Sequence, residues 1–376
     1  MKIAIIGGGI GGLTTALALK QNGQNITIYE SASEIKPVGA GIIMANNAMQ
    51  VFDKLGVREK IENAGCKISD IKITDAQLNT ISESNLTKFE EKFGVHNVAI
   101  HRADLQKILA DEIGLENIQL SKRLLKIEQE NDFKLTFDDN TSIQADIVIG
   151  ADGIKSTVRT QLFGTRNLRD TKQRCWRGVS ELDSTSKYNQ TAIEAWGKGK
   201  RFGFVKISSK KVYWYAVINE ELKNKHSNIA EFFNDFHPEI LKMITETPKD
   251  NIIFSDIIDM QPSKQWQKGK VCLIGDAAHA TTPNMGQGAC QAVEDAYILG
   301  KLFGQRKCVE DVFTQYEKLR MEKAHFIVNT SWKIGKIAHF QNSMAVWLRN
   351  ALVKAMPKSS SEKQLEKVFS IEYDIS

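Results

Sequence analysis

Short apolar runs that stop abruptly at glycine punctuate this chain in three places. Ile3 to Ile6 leads into Gly7-Gly8-Gly9-Ile10-Gly11-Gly12, Ile147-Val148-Ile149 into Gly150-Ala151-Asp152-Gly153, and Val271-Cys272-Leu273-Ile274 into Gly275-Asp276. Uninterrupted runs of this length read as buried strands. Behind the first glycine cluster Leu13, Ala16, Leu17 and Leu19 make a small-residue helix, and a second strand, Asn25 to Tyr29, ends in Glu30. Strand, glycine turn, helix and strand predict one right-handed βαβ unit.

Residues 31–65 predict a loop containing Pro37, Gly39 and Gly41, then a helix bearing Val51, Phe52, Leu55 and Val57. Weak alternation through Ile71, Ile73, Leu86 and Ile100 predicts strands of another layer, helical spacing returns at Leu105, Ile108 and Leu109, and Asp138-Asp139-Asn140 marks a hairpin. Between about 170 and 270, runs such as Phe202-Gly203-Phe204-Val205 and Val212-Tyr213-Trp214-Tyr215-Ala216-Val217 predict a separate sheet, interrupted by a helical piece near 228–246. A helix from about Gln287 to Phe303 follows the third glycine cluster. Helical periodicity dominates from Glu310, and Lys358-Ser359-Ser360-Ser361 reads as a loose linker.

The return of the strand–glycine–helix pattern at Val271 makes the first domain discontinuous. The expected fold class is α/β: a discontinuous Rossmann-like domain over 1–70, 101–169 and 270–309, an inserted β-sheet substrate domain over 71–100 and 170–269, and a C-terminal helical region over 310–376. The 376 residues, 42% hydrophobic and 25% charged, exclude collagen-like and largely disordered chains. A net charge of +5 is too mild at this length for a dedicated nucleic-acid binder. The five cysteines contain no CxxC pair, which speaks against a disulfide framework or a zinc site; no metal is expected, and a reducing, cytoplasmic setting is. The opening residues lack a signal peptide's apolar core and cleavage site, and no run of about 18 apolar residues is present, so no transmembrane segment is expected.

Gly7, Gly9 and Gly12 occupy the three positions of GxGxxG. The first permits a tight turn, the second lets backbone approach a pyrophosphate, and the third lets helix pack on strand. The helix N-terminus offers free N–H groups to phosphate. Glu30 can accept from both ribose hydroxyls of an adenosine and would repel a 2′-phosphate, which favours FAD or NAD over NADP as the tightly held ligand. Asp152 and Asp276 then stand at the ends of two more buried strands, where α/β ligand crevices form, and supply acceptors of the kind a flavin's ribityl chain needs.

With Arg102 in His101-Arg102-Ala103-Asp104-Leu105, the DGxxSxxR run from Asp152 to Arg159, and Gly275-Asp276 continuing through Pro283 to Gly286-Gln287-Gly288, the chain resembles the single-component class A flavoprotein monooxygenases over about residues 1–330. That family includes salicylate, 4-hydroxybenzoate and urate hydroxylases and the zeaxanthin epoxidases. The resemblance implies tightly bound FAD in the discontinuous domain, with Glu30 on the adenosine ribose, Arg102 on the phosphate or ribityl side, Asp276 on a ribityl hydroxyl, and Asp152 serving both FAD and a transient NAD(P)H. It also puts the loop Pro283-Asn284-Met285-Gly286-Gln287-Gly288 under the isoalloxazine. The activity implied is hydroxylation of a small aromatic or heteroaromatic substrate by NAD(P)H and O2 through a flavin C4a-hydroperoxide.

Substrate residues are less determined. Arg201 and Tyr213 match an Arg and a Tyr implicated in the urate hydroxylases, so both are candidate catalytic residues. On residue type alone, Arg201 reads equally as a solvated arginine on a basic hairpin with Lys198, Lys200, Lys206, Lys210 and Lys211. His279 reads as a packing residue rather than a base, and Cys290 as a buried small residue. Ile334, Ile337, Met344, Leu348 and Leu352 with Lys333, Lys336, Arg349 and Lys354 form an amphipathic basic stretch suited to core or dimer packing, or to membrane-surface contact. No CxxC or CxxxxC follows the first helix and no second GxGxxG appears, so neither a disulfide reductase nor a separate nicotinamide domain is expected. Three alternatives stay open: an epoxidase of a lipophilic alkene, a related flavoprotein reductase without oxygen transfer, and a flavin-binding module without turnover. The partners expected are a small-molecule substrate and O2, without nucleic acid, in a monomer or homodimer.

Overall fold

The computed structural model describes residues 1–35, 40–165, 167–181, 188–225, 228–305 and 308–374; Pro37 and Gly39 of the predicted loop lie outside them. The three glycine-terminated runs are neighbours in one sheet. Its strand order is Gln267–Lys268, Val271–Leu273, Ile147–Gly150, Lys2–Ile6, Asn25–Tyr29 and Ile118–Gln119. All pairs are parallel except the edge pair of Gln267–Lys268 with Val271–Leu273. Ile3, Ile5, Ile28, Ile147 and Ile149 are at most 2% exposed, because helices cover one face and the antiparallel sheet of Leu124–Gln129, Phe133–Phe137 and Ser142–Ala145 packs on the other, with the Tyr29 and Phe137 rings stacked at 5.0 Å. The helix Ile10–Gln21 packs against the helix Gly288–Gly304 on one side. There Gly300 is needed, since a Cβ would come within 3.0 Å of Ala18 Cβ.

A seven-stranded sheet stands apart, ordered Ile253–Met260, Leu168–Glu181, Lys211–Asn219, Lys200–Lys206, Thr191–Trp196, Asp70–Asp75 and Thr80–Asn85. Only Thr191–Trp196 with Asp70–Asp75 is parallel. Strand alternation divides its side chains. Phe202, Phe204, Trp214 and Ala216 face a core shared with Phe233, Phe236, Ile240 and Met243 from the segment 229–245. Arg201, Gly203, Tyr213, Tyr215 and Val217 point the other way, towards the nucleotide-binding half.

The stretch 71–100 divides between the layers. Strands Asp70–Asp75 and Thr80–Asn85 join the large sheet, whereas Asn97–His101 pairs with Gly41–Met44 and Cys66–Ile68 and packs into the main core through Val98, Ala99 and Ile100. The predicted hairpin forms between Phe133–Phe137 and Ser142–Ala145, with Asn140 at φ 64° in the turn. Val309–Ala338 is one 30-residue helix, followed by Ser343–Ala355 and Lys358–Phe369. The last helix corrects the expected linker. Pro357 stands at the N-cap with extended backbone, Ser361 Oγ bonds back to Lys358 O at 2.9 Å, and Val368 and Phe369 anchor the far end in the core.

Candidate active site

Three adjacent parallel strand ends, two uncapped helix N-termini and the inner face of the large sheet carry the candidate site. At its base Gly7 has φ 108°, and a Cβ on Gly12 would lie 2.0 Å from Gly7 O. Gly12 is therefore a packing requirement. Gly9 is different: a Cβ there meets nothing within 4 Å, so its surroundings are left open. The helix that starts at Ile10 has no side-chain cap and no acidic residue in its first turn, so its N–H groups and positive end stay available to an anion. Beside it Glu30 Oε2 accepts from Gly8 N at 2.6 Å and Oε1 from Ala32 N at 2.8 Å. These bonds hold the carboxylate at the turn while leaving it lone pairs.

Asp152 Oδ2 accepts from Thr157 N at 2.7 Å and Val158 N at 3.1 Å, capping the helix Thr157–Phe163, while its Oδ1 is buried with no hydrogen-bond partner. Burial raises this carboxyl, opposed by the Ser156 hydroxyl and by the backbone N–H groups around it. Asp276 follows Gly275, which needs its left-handed backbone at φ 54°. The Asp276 side chain is solvent-accessible yet walled by protein; that desolvation raises its carboxyl, opposed by the charges of His279 and Arg102. Arg102 also acts electrostatically on Tyr213. Pro283–Met285 forms a single 3-10 turn ending at Gly286, φ 63°, and the helix Gly288–Gly304 then starts without a side-chain cap or an acidic first turn. Gln287 stands at its N-cap, and the Gln287 Oε1 accepts from Asn47 at 3.0 Å.

Opposite lies the sheet. Gly41 lets it approach, since a Cβ there would sit 2.4 Å from Tyr213 Cβ. The Arg177 guanidinium donates to the Tyr213 phenol oxygen and, through Nη1, to Ser255 Oγ at 2.6 Å. Burial pushes the Tyr213 phenol far above its ordinary range, so it stays protonated at any working pH. Arg201 is 1% exposed, which excludes the solvated-hairpin reading. Its Nη1 donates to Glu194 Oε1 at 3.2 Å and its Nη2 to Asn284 Oδ1, tying the sheet to the Pro283–Met285 turn. Glu194 also accepts from Tyr215 OH and, at 2.6 Å, from Trp196 Nε1. Asn284 Nδ2 reaches Ser331 O at 2.7 Å on the long helix, an approach that requires Gly335.

Two features are absent from the sequence expectations: Glu194, and a buried charge network behind the Gly288–Gly304 helix; Asn284, Arg177 and Tyr215 enter there only as members of the loop and the sheet, without partners of their own. In that network Arg320 donates to Glu294 Oε2 and Asp295 Oδ1, both at 2.8 Å, Lys323 donates to Glu294 at 2.9 Å, and Tyr373 closes it from the C-terminal tail. His279 Nε2 lies 2.7 Å from Asp295 Oδ2 and its ring packs on Trp266, as a packing residue does. Cys290 is fully buried, and burial pushes its thiol up to about 12, so it is not a reactive thiolate. The signal that could have exposed the network is an adjacent acid pair, Glu294-Asp295, inside a mostly apolar helix.

An open Gly9, two uncapped helix ends, the unpartnered Asp152 Oδ1 and the accessible Asp276 carboxylate fit a dinucleotide with a long hydroxylated linker. A family model described as "FAD binding domain" matches residues 1–331. The chain belongs to this family of FAD-dependent monooxygenases. Among its relatives, the aurachin C monooxygenase/isomerase of Stigmatella aurantiaca is 35% identical, covering 95% of this chain and 94% of its own length. The FAD-dependent urate hydroxylase of Klebsiella pneumoniae is 31% identical over 90% of this chain and 91% of the relative. The 2-heptyl-3-hydroxy-4(1H)-quinolone synthase of Pseudomonas aeruginosa is 29% identical over 98% of each. The crystal structure of Klebsiella pneumoniae HpxO with FAD and uric acid superposes with a TM-score of 0.89 at 26% identity, covering 98% of this chain and 96% of the other. This chain is thus an FAD-dependent monooxygenase. Among the described residues, no helix is long and apolar enough to cross a membrane.

Proposed function

We propose that this monooxygenase uses NAD(P)H and O2 to hydroxylate an electron-rich aromatic or heteroaromatic ring, of the fused nitrogen-containing kind named for the urate and quinolone relatives. The observation that carries the reading is the polar stripe Arg177–Tyr213–Tyr215–Arg201 on the sheet face that closes over the Pro283–Gly288 loop. FAD, when bound, supplies electron transfer from the nicotinamide and activation of oxygen. Gly9 and the first helix would hold its pyrophosphate, Glu30 its adenosine ribose, Asp276 and Arg102 its ribityl and phosphate side, and Asp152 the cleft it shares with a transient nicotinamide.

The chain's own part is binding, orientation and exclusion of water. The Tyr213 oxygen accepts from Arg177, so its hydroxyl hydrogen is left to donate to a carbonyl or hydroxyl oxygen on the ring and orient it. Burial keeps that hydrogen in place at neutral pH. Arg201 acts as a positioning residue: it ties Asn284 to Glu194 and so fixes the Pro283–Gly288 loop against the sheet wall. The open N-terminus of the helix Gly288–Gly304 offers positive potential to negative charge on the reduced cofactor. No general base is required of the protein, and His279 is turned into the core.

The test is an absorption spectrum of the purified protein followed by NADH and NADPH oxidation with a panel of quinolones, purines and phenols, recording product mass. A flavin spectrum, substrate-stimulated oxidation and a product heavier by one oxygen atom support the reading. Nicotinamide oxidation that reduces a substrate double bond instead favours the reductase alternative and refutes it.

A further inference from the structure

The helix Ser343–Ala355 is turned inside out. Met344, Trp347, Leu348, Ala351, Leu352 and Ala355 recur at the spacing that makes one face of an α-helix, and every one of them is exposed. Met344 is 77%, Trp347 69% and Leu352 62% accessible. The inward face holds Arg349, which is 3% exposed, donates through Nη1 to Ala338 O at 2.8 Å and lies 5.0 Å over the Trp196 ring. A helix made only to pack would place these residues the other way round. Ile337 and Phe340 before it and Met356 after it extend the apolar surface. A continuous patch of this kind marks a surface that is covered in use.

Its charge says by what. Residues 323–361 contain no Asp or Glu, whereas Lys333, Lys336, Lys354 and Lys358 are exposed around the stripe. Carboxylates on adjoining elements are engaged: Glu83 with Lys72 at 3.1 Å, Glu362 with Lys88, and Glu221 with Gln341. A second copy meeting this face across a two-fold axis would bring the same lysines together without counter-charge. An anionic surface with an apolar interior matches both features, as an interfacial amphipathic helix requires.

We propose that this helix docks the monooxygenase on an anionic lipid bilayer, with Met344, Trp347, Leu348 and Leu352 in the headgroup–acyl boundary and the lysines on the headgroups. The inference goes beyond the hydroxylase reading and does not depend on it. It has a consequence for the cleft: the helix's inner residue Arg349 stacks on Trp196, which donates to Glu194, which holds Arg201 and Tyr215.

The test is co-sedimentation of the FAD-loaded full-length protein with vesicles of phosphatidylcholine alone and of three parts phosphatidylcholine to one part phosphatidylglycerol. The variants are Trp347→Ser with Leu352→Ser, and Lys354→Gln with Lys358→Gln; an unchanged flavin spectrum and melting temperature confirm their fold. The wild type should pellet with anionic vesicles and far less with neutral ones. The apolar variant should lose about 10-fold or more in partitioning, and the lysine variant should lose binding to anionic vesicles only. Wild type that stays in solution with both vesicles overturns the proposal. So does an apolar variant that binds lipid unchanged while converting a dimer into a monomer in sedimentation velocity, which would make the surface a subunit interface.

Discussion

Replacing Gly9 by alanine separates cofactor binding from folding. Gly9 has φ −72° and ψ 178°, backbone that any residue adopts, and a Cβ there meets nothing within 4 Å. In the apoprotein the substitution is therefore free of steric strain; the gain of up to about 1 kcal/mol from restricting the unfolded chain is offset by alanine's poorer fit at the N-cap, so the net change in stability should be close to zero. The space it fills is the one a pyrophosphate needs for close approach. One methyl forced into a close contact costs roughly 1–3 kcal/mol. At about 1.4 kcal/mol per tenfold, this is a loss of about 5- to 140-fold in FAD affinity. Gly12→Ala is the contrasting change, because its Cβ would stand 2.0 Å from Gly7 O, so the first helix must shift even in the apoprotein. The assay pairs a fluorescence titration of apoprotein with FAD and a thermal melt without FAD. Gly9→Ala should weaken FAD with no fall in melting temperature, and Gly12→Ala should lower both. If Gly9→Ala binds FAD as tightly as the parent, or melts as early as Gly12→Ala, the assignment of that opening to the cofactor is refuted.

Three other changes probe the core and the wall. Arg320→Met leaves Glu294 and Asp295 as buried carboxylates short of their main cation and should cost about 3–5 kcal/mol in chemical denaturation; a cost under about 1 kcal/mol would show that Lys323 and His279 suffice. Acid should unfold the protein through the same pair. Burial pushes both carboxyls up, but His279 and Arg320 hold Asp295, and Arg320 and Lys323 hold Glu294, below their ordinary 3.8 and 4.5, so the unfolded chain binds more protons. The pair's stabilisation is full above about pH 5 and disappears as pH falls through the depressed folded values; a melting temperature that stays flat from about pH 6 to pH 3 would refute this. Tyr213→Phe removes the acceptor of Arg177 and the hydroxyl offered to substrate. Product formation should fall roughly 10- to 100-fold, with more of the oxidised NAD(P)H appearing as hydrogen peroxide and FAD affinity unchanged; unaltered coupling of oxidation to product would remove Tyr213 from the substrate wall.

The cofactor side was readable because its chemistry is local. A glycine turn, a helix start and an acid at a strand end each need only neighbours in sequence, so Gly7, Gly9, Gly12 and Glu30 could be placed from spacing alone. Asp152 and Asp276 came from the same rule applied at two later strand ends. The sheet domain was readable as β-rich, and its alternation put Tyr213 and Tyr215 on one face. The partition of 71–100 was not, since strands Asp70–Asp75 and Asn97–His101 are alike in pattern and differ only in which sheet they join. The terminal segment misled because serines after a proline read as a linker until Val368 and Phe369 are seen to hold the helix down.

By itself, then, the sequence determined the βαβ start, the order of the strand-end acids, the family and the cofactor, since short-range geometry and the residue types that permit it set each of these. Tertiary structure alone decided what Arg201 contacts, because its partners Glu194 and Asn284 come from another strand and from the Pro283–Met285 turn, and burial turns a surface-like arginine into a bridge. It also decided the Glu294–Asp295–Arg320 network and the outward face of the helix Ser343–Ala355. In both, the outcome depends on which side of a helix the rest of the chain covers, and the periodicity of one segment carries no information about that.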